Sequence, residues 1–301
     1  MRSRGFFLVL ALVAGTLVMA TPAAASARPS ATPHTTSNGY WLVGSDGGIF
    51  NYGSAGFYGS TGSMVLQRPV VGMVTTPGGT GYWLTASDGG VFSFGQTKFY
   101  GSLPGLGFKP FGSGLPNALV LPVVGMVPSY DDNGYFMVAA DGGIFAFGDA
   151  KFEGSCYDIG GCTQNGLAVA VMPDATGNGY WVVSSLGSVY GFGDAPYLGG
   201  PPPSFGSVVS AVATPDGKGY VILASNGALY GLGDAPFTGE MPAGPLSAAN
   251  GGAAAVMLDA QNNGGWVAYA DGKVIPFGSA PYSGDASNLP LNGKIVAGSG
   301  F

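Results

Sequence analysis

One motif recurs six times along this 301-residue chain, and no other feature constrains the fold as tightly. The copies start at Gly39, Gly81, Gly134, Gly179, Gly219 and Gly264. The tyrosine that follows the glycine stands at Tyr40, Tyr82, Tyr135, Tyr180 and Tyr220, and is replaced by Gly265 in the last copy. Successive copies are 42, 53, 45, 40 and 45 residues apart. A period of that length marks one supersecondary unit per repeat, unable to bury its apolar surface until neighbouring units stack on it.

Within each copy the residues read as strands. Tyr82 to Ala86 is aromatic, apolar and β-branched, and Asp88-Gly89 is a tight-turn pair, so Val91 to Phe94 returns antiparallel to it. The expected turn is the two-residue primed type, with positive φ at both central residues. A Gly-Ser-Ala or Gly-Asp-Ala step, such as Gly53-Ser54-Ala55 or Gly148-Asp149-Ala150, makes the next turn, and a short third strand such as Lys151-Phe152-Glu153 follows. Between hairpins lies a small-residue, β-branched segment: Pro69 to Pro77, Pro122 to Pro128, Leu167 to Pro173, Ser207 to Pro215, Gly252 to Leu258 and Gly293 to Gly300. Four strands per repeat and a period near 45 predict an all-β, six-bladed β-propeller with four-stranded blades. Strands that are apolar on both faces fit blades stacked face to face. The first hairpin lacks a preceding inner strand and the last inner strand, Lys294 to Gly298, lacks a following hairpin. The expectation is that the C-terminal strand pairs with the N-terminal hairpin and closes the ring, which also hides an edge.

The string Gly-Tyr-Trp-Leu-x-x-Ser-Asp-Gly-Gly-[Ile/Val]-Phe-x-[Phe/Tyr]-Gly resembles a repeat of secreted and cell-wall proteins of actinobacteria. There it accompanies peptidoglycan hydrolases, peptidases and other glycan-active domains. The resemblance spans residues 39–301 and implies an extracellular β-propeller module of unassigned function, without a catalytic domain of its own here. The fit weakens at Leu186-Gly187 and Asn226-Gly227, which replace Asp-Gly, and at Gly265.

Residues 1–27 read as a secretory signal peptide. Arg2 and Arg4 precede the apolar run Gly5 to Ala20, and small residues through Ala27 supply a cleavage pattern. Residues 28–37 are a loose leader, and 38–301 form one domain. No later segment is apolar for long enough to span a bilayer. Export brings an oxidising compartment, so Cys156 and Cys162 are expected to form a disulfide, worth about 2–3 kcal/mol at most for so short a loop.

Composition removes several function classes. The net charge is −6, and −8 once Arg2 and Arg4 are cleaved away, with the cations scattered, so no nucleic-acid partner is expected. The single histidine, His34, lies in the leader, which leaves no Ser-His-Asp set and no multi-histidine metal site. No phosphate-binding loop motif occurs, and neither cofactor nor metal is expected. The aspartates recur at turns: Asp46, Asp88, Asp141 and Asp271 in the hairpin turn, and Asp149, Asp194 and Asp234 in the Gly-Asp-Ala step. Turn chemistry accounts for them. No Asp or Glu falls within an inner strand, which argues against a channel-centred enzyme.

Binding is expected where repeats differ, in the connections from each third strand to the next inner strand. Gly101 to Leu121 offers Phe108, Lys109 and Phe111; Gly154 to Gly166 offers Tyr157 and Asp158; Gly199 to Gly206 offers Phe205. Aromatics beside small polar groups suit sugar rings, so the leading reading is a binding or scaffold module for a cell-envelope glycan or another envelope component. The alternatives are a hydrolase or lyase using Asp131, Asp132 and Asp158, and a protein–protein scaffold. The sequence fixes no oligomeric state.

Overall fold

The computed structural model describes residues 38–160, 163–242 and 251–301. Among them the chain is all-β apart from short helical turns. The strands β1 (Gly39–Gly44) and β2 (Ile49–Gly53) come first. Triplets of inner, middle and outer strands follow. They are β3 (Val70–Thr75), β4 (Gly81–Ala86), β5 (Val91–Gly95); β6 (Val123–Pro128), β7 (Gly134–Ala139), β8 (Ile144–Gly148); and β9 (Ala168–Pro173), β10 (Gly179–Ser184), β11 (Val189–Gly193). After these come β12 (Val208–Ala213), β13 (Tyr220–Ala224), β14 (Leu229–Leu232) with a fourth strand β15 (Gly239–Met241), then β16 (Ala253–Leu258), β17 (Gly264–Tyr269), β18 (Val274–Gly278), and last β19 (Ile295–Gly300).

These strands form six antiparallel sheets among the described residues, one of them ordered β19-β1-β2. Tyr40 lies opposite Gly300 and Val43 opposite Ala297, with a one-residue bulge between Val43 and Gly44. The same bulge separates inner from middle strand in each of the other sheets, for example between Val70 and Gly72. The C-terminal strand thus stands to the first hairpin as β3 stands to β4.

Every middle strand is buried along its whole length. Its two faces feed two different hydrophobic clusters: Tyr82 and Leu84 pack with Trp41 and Val43, while Trp83 packs with Tyr135 and Met137. One such cluster lies between each sheet and the next, and another joins the first sheet to the sixth through Tyr40, Leu42 and Trp266. The inner strands touch in the same order, β3 with β6, β6 with β9, β9 with β12, β12 with β16, β16 with β19 and β19 with β3. Buried aromatics of this size are worth roughly 3–5 kcal/mol each against alanine.

The expected four-stranded sheet occurs once, in β12-β13-β14-β15; the other five sheets have three strands. The segment expected as the third strand of each hairpin, Lys151-Phe152-Glu153 for instance, is irregular because side chains take its backbone hydrogen bonds. Trp41, Trp83, Trp181 and Trp266 donate their indole N–H to the carbonyls of Gly56, Lys98, Pro196 and Pro281, at 2.7–2.9 Å. From the neighbouring sheet, Tyr82, Tyr135, Tyr180, Tyr220 and Tyr40 donate to the carbonyls of Gly59, Gly101, Gly154, Gly199 and Gly284, at 2.5–2.7 Å. The same hydroxyls accept backbone N–H groups, such as that of Tyr100 by Tyr135. The latch glycine Gly101 has φ +134°, and a Cβ there would lie 2.7 Å from the Phe147 ring. In the fifth repeat Val221 replaces the tryptophan and Gly265 the neighbour's tyrosine, and there the outer segment pairs as β15 instead.

The hairpin turn also differs from expectation. Ala86 pairs with Gly90 around the three-residue loop Ser87-Asp88-Gly89, and Gly89 N–H donates to the Ala86 carbonyl. Only the glycine takes positive φ, +77°, so this is a turn followed by a left-handed glycine bulge, and Asp88 is free of strain. Replacing Tyr135 by Phe leaves the Gly101 carbonyl and Tyr100 N–H without their shared partner. The expected cost is about 1–3 kcal/mol in chemical denaturation with an unchanged m-value.

Candidate functional site

The aspartates divide by what they hold. Asp46, Asp88, Asp141 and Asp271 each accept the backbone N–H two residues on, at 3.0 Å, which orders the hairpin turn. At the opposite end of the strands, hydroxyls tie carboxylates together. Ser129 Oγ lies 3.1 Å from both Asp131 Oδ1 and Asp149 Oδ1, and Thr214 Oγ1 lies 3.1 Å from Asp216 and 2.7 Å from Asp234. Thr176 makes the same link between Asp174 and Asp194. Burial, then the neighbouring carboxylate, pushes Asp149, Asp174 and Asp234 upward. These pairs fasten the step after the outer strand to the connection after the inner strand.

The hydrolytic set Asp131, Asp132 and Asp158 does not assemble. Asp131 and Asp132 precede β7, whereas Asp158 sits beside the turn that follows it. A six-residue strand separates them, roughly 20 Å. Paired glycosidase carboxyls stand within about 10 Å. Among the described residues no group of three or more His, Cys, Asp or Glu is placed to hold a metal ion.

The residues that do converge form a groove of about 290 Å³ on the third sheet's turn end. Its walls come from the 108–121 connection, the Asp141 turn and a one-turn helix, α1 (Cys156–Ile159). Ser155 caps α1: its Oγ accepts Asp158 N–H at 3.3 Å and donates to Asp158 Oδ2 at 2.6 Å, and left-handed Gly160 ends the turn. The Asp158 side chain is thereby held at the start of the helix. Phe108 packs perpendicular to Phe145 at 5.7 Å and forms part of the wall. Phe152 and Tyr157 present exposed rings to the groove, and Leu119 and Val120 complete its apolar side. Asp141 and Asp158 supply carboxylates, and among the described residues no Lys or Arg lines it.

Of the residues singled out from sequence, Phe108, Tyr157 and Asp158 meet in this groove. Lys109 and Phe111 belong to the same connection but lie outside the lining. The Lys109 backbone bridges Ala118, and the Phe111 carbonyl accepts the Arg68 guanidinium at 3.3 Å. Phe205 is a correction: it is 4 % exposed and packs perpendicular to Tyr230 in the cluster between the fourth and fifth sheets, so it is a core residue. Its proline-rich surroundings suggested a surface loop, but the aromatic plugs that loop onto the fold. Sequence reading missed Phe145, Phe152 and Ser155. The legible signal for Phe152 was an aromatic at the same place in every copy. Cys156 is buried at the start of α1, and Cys162, like His34 and residues 1–37, lies outside the described residues.

Asp285 anchors the connection that delivers β19. Its carboxylate accepts Lys273 Nζ at 2.8 Å, Tyr282 Oη at 2.9 Å and Ser287 Oγ at 2.6 Å, with its side chain 4 % exposed. Burial acts to raise this carboxyl, but the Lys273 ammonium and the hydroxyls outweigh it and hold it at about 2.

The chain matches no protein-family model, and no curated protein matches it. Among solved structures it is similar to the β-propeller domain of Cps50 (Swd1) from Myceliophteria thermophila, at 8% sequence identity and a TM-score of 0.49 over 86% of this chain and 81% of that one. Among the described residues no helix is long and apolar enough to cross a membrane.

A carboxyl lowered by folding stabilises above its unfolded value and loses that contribution as pH falls through its folded value. Asp285 therefore contributes about 2 kcal/mol near neutral pH, lost between about pH 4 and pH 2. Asp285→Asn should lower stability at pH 7 by that amount and flatten this part of the acid limb, measured by urea unfolding at several pH values.

Proposed function

We propose that the chain is an exported six-bladed β-propeller, related to the actinobacterial envelope repeat proteins, that binds glycan at the cell envelope through the Phe108–Tyr157 groove. The ring is supported by the pairing of β19 with β1 and by the unbroken succession of clusters that returns from the sixth sheet to the first. Export rests on the signal-like residues 1–27, and in that compartment Cys156 and Cys162 pair and brace α1. On this reading, removing residues 293–301 takes the partner from β1 and opens an edge. The truncated chain is expected to unfold or aggregate, and a melting temperature equal to that of the intact chain would refute the ring.

The observation that carries the binding reading is the groove itself. Two exposed rings, Phe152 and Tyr157, face a cavity with carboxylate oxygens at Asp141 and Asp158. Ring faces stack on the C–H faces of a pyranose, and carboxylates accept its hydroxyls; a few placed polar groups in an apolar pocket give orientation. Ser155 Oγ is spent on capping α1 and on the Asp158 carboxylate, and the reading proposed for the groove is capture of a ligand. The mature chain on a glycan array is expected to retain neutral or amino-bearing oligosaccharides. Tyr157→Ala and Asp158→Asn should each weaken the strongest of them about tenfold or more by calorimetry, about 1.4 kcal/mol. A chain that binds no glycan, or variants that bind as the parent does, would sink the assignment.

A further inference from the structure

We infer that a multivalent glycan-contact surface extends beyond the groove along the outer rim, built from an aromatic platform in each of five repeats: Phe57, Phe99, Phe152, which the groove shares, Tyr197 and Tyr282. It rests on the glycan reading above for the class of partner. Each of these residues stands two positions before a latch glycine, at Gly59, Gly101, Gly154, Gly199 and Gly284. The segment is held by its backbone, through the tyrosine bonds and, in most repeats, the indole bonds, and of the five side chains at this position Tyr282 is engaged by the fold, through its hydroxyl on Asp285. Five times the side chain is a large ring, 53–73 % exposed. None of the five belongs to a hydrophobic cluster of the core.

The sixth equivalent, Phe237, supplies the internal comparison. It packs perpendicular to Phe277 at 5.9 Å and joins the cluster between the fifth and sixth sheets. That is the junction where Gly265 has replaced the latch tyrosine. The ring at this position is half-buried at the boundary that lacks the tyrosine and exposed at the other five.

Exposed apolar side chains scattered singly are ordinary, but the same one repeated at equivalent positions is not scatter. The platforms are separate rings, one to a repeat, rather than the continuous apolar patch a protein partner would cover. Three are phenylalanines, which have no hydrogen-bonding group, so at those positions contact is by the ring face alone. A chain of net charge −6 disfavours an anionic polymer. The partner that fits is a neutral polysaccharide with exposed C–H faces. A short oligosaccharide reaches one platform and binds weakly; a lattice of chains reaches several, and avidity follows.

The test uses the mature chain with chitin and cellulose particles as polymeric probes and chitotetraose as the short one. The triple variant Phe57→Ser, Phe99→Ser, Tyr197→Ser avoids the groove. It is expected to lose about tenfold or more of its retention on whichever particle holds the parent, each single variant losing only about two- to threefold. Tryptophan at the three positions should preserve retention, which separates ring loss from misfolding. Retention by the triple variant equal to that of the parent would overturn the rim surface. So would loss of particle binding on Tyr157→Ala alone, which would leave the groove as the site. If the parent is retained on neither particle, the rim proposal falls; if it also binds no member of the glycan array, the glycan reading falls with it.

Discussion

The bond from a tyrosine hydroxyl to the carbonyl of a glycine in the preceding repeat is the contact on which the arrangement of sheets depends. Hydrophobic burial brings the sheets together, but burial is non-directional and would tolerate sliding. The hydroxyl fixes the relative position of neighbours to within a hydrogen bond. Burial also raises its pKa, to about 12 for Tyr40, so it stays a donor across the physiological range. The first and last sheets are joined by the same bond, from Tyr40 to Gly284, as every other pair of neighbours except the fifth and sixth.

Much of this was legible. The six-fold motif gave strand order, the buried middle strands and the role of the C-terminal segment, because apolar pattern and period are local properties of the chain. The absent fourth strand was not legible. Lys151-Phe152-Glu153 has strand-like composition, and its fate depends on whether Tyr180, 27 residues away, intercepts its backbone. Long-range competition for a hydrogen bond leaves no trace in a window of neighbouring residues. The fifth repeat shows that competition resolved the other way.

The groove was half legible for a related reason. Phe108, Tyr157 and Asp158 lie in connections whose length and composition set them apart. Phe205 met the same criteria and turned out to be a plug, since a ring in a loop can face either way and only packing decides. Phe145 and Phe152 belong to the repeat itself and contribute because one unusual connection folds back over them. The aspartates behaved as turn chemistry requires, though their pairing through Ser129, Thr176 and Thr214 needed three-dimensional proximity to appear.

The fifth-to-sixth boundary has a mechanical consequence. Every other boundary is pinned by a bond from a middle-strand tyrosine; among the described residues this one has instead Phe237 against Phe277, with Asn262 donating to the Asp234 carbonyl at 2.7 Å. Apolar packing yields to small displacements more gradually than a directional bond does. Without the tyrosine bond, the fifth and sixth sheets rely on shape to hold their relative position, and this is the boundary at which small shifts between neighbours cost least.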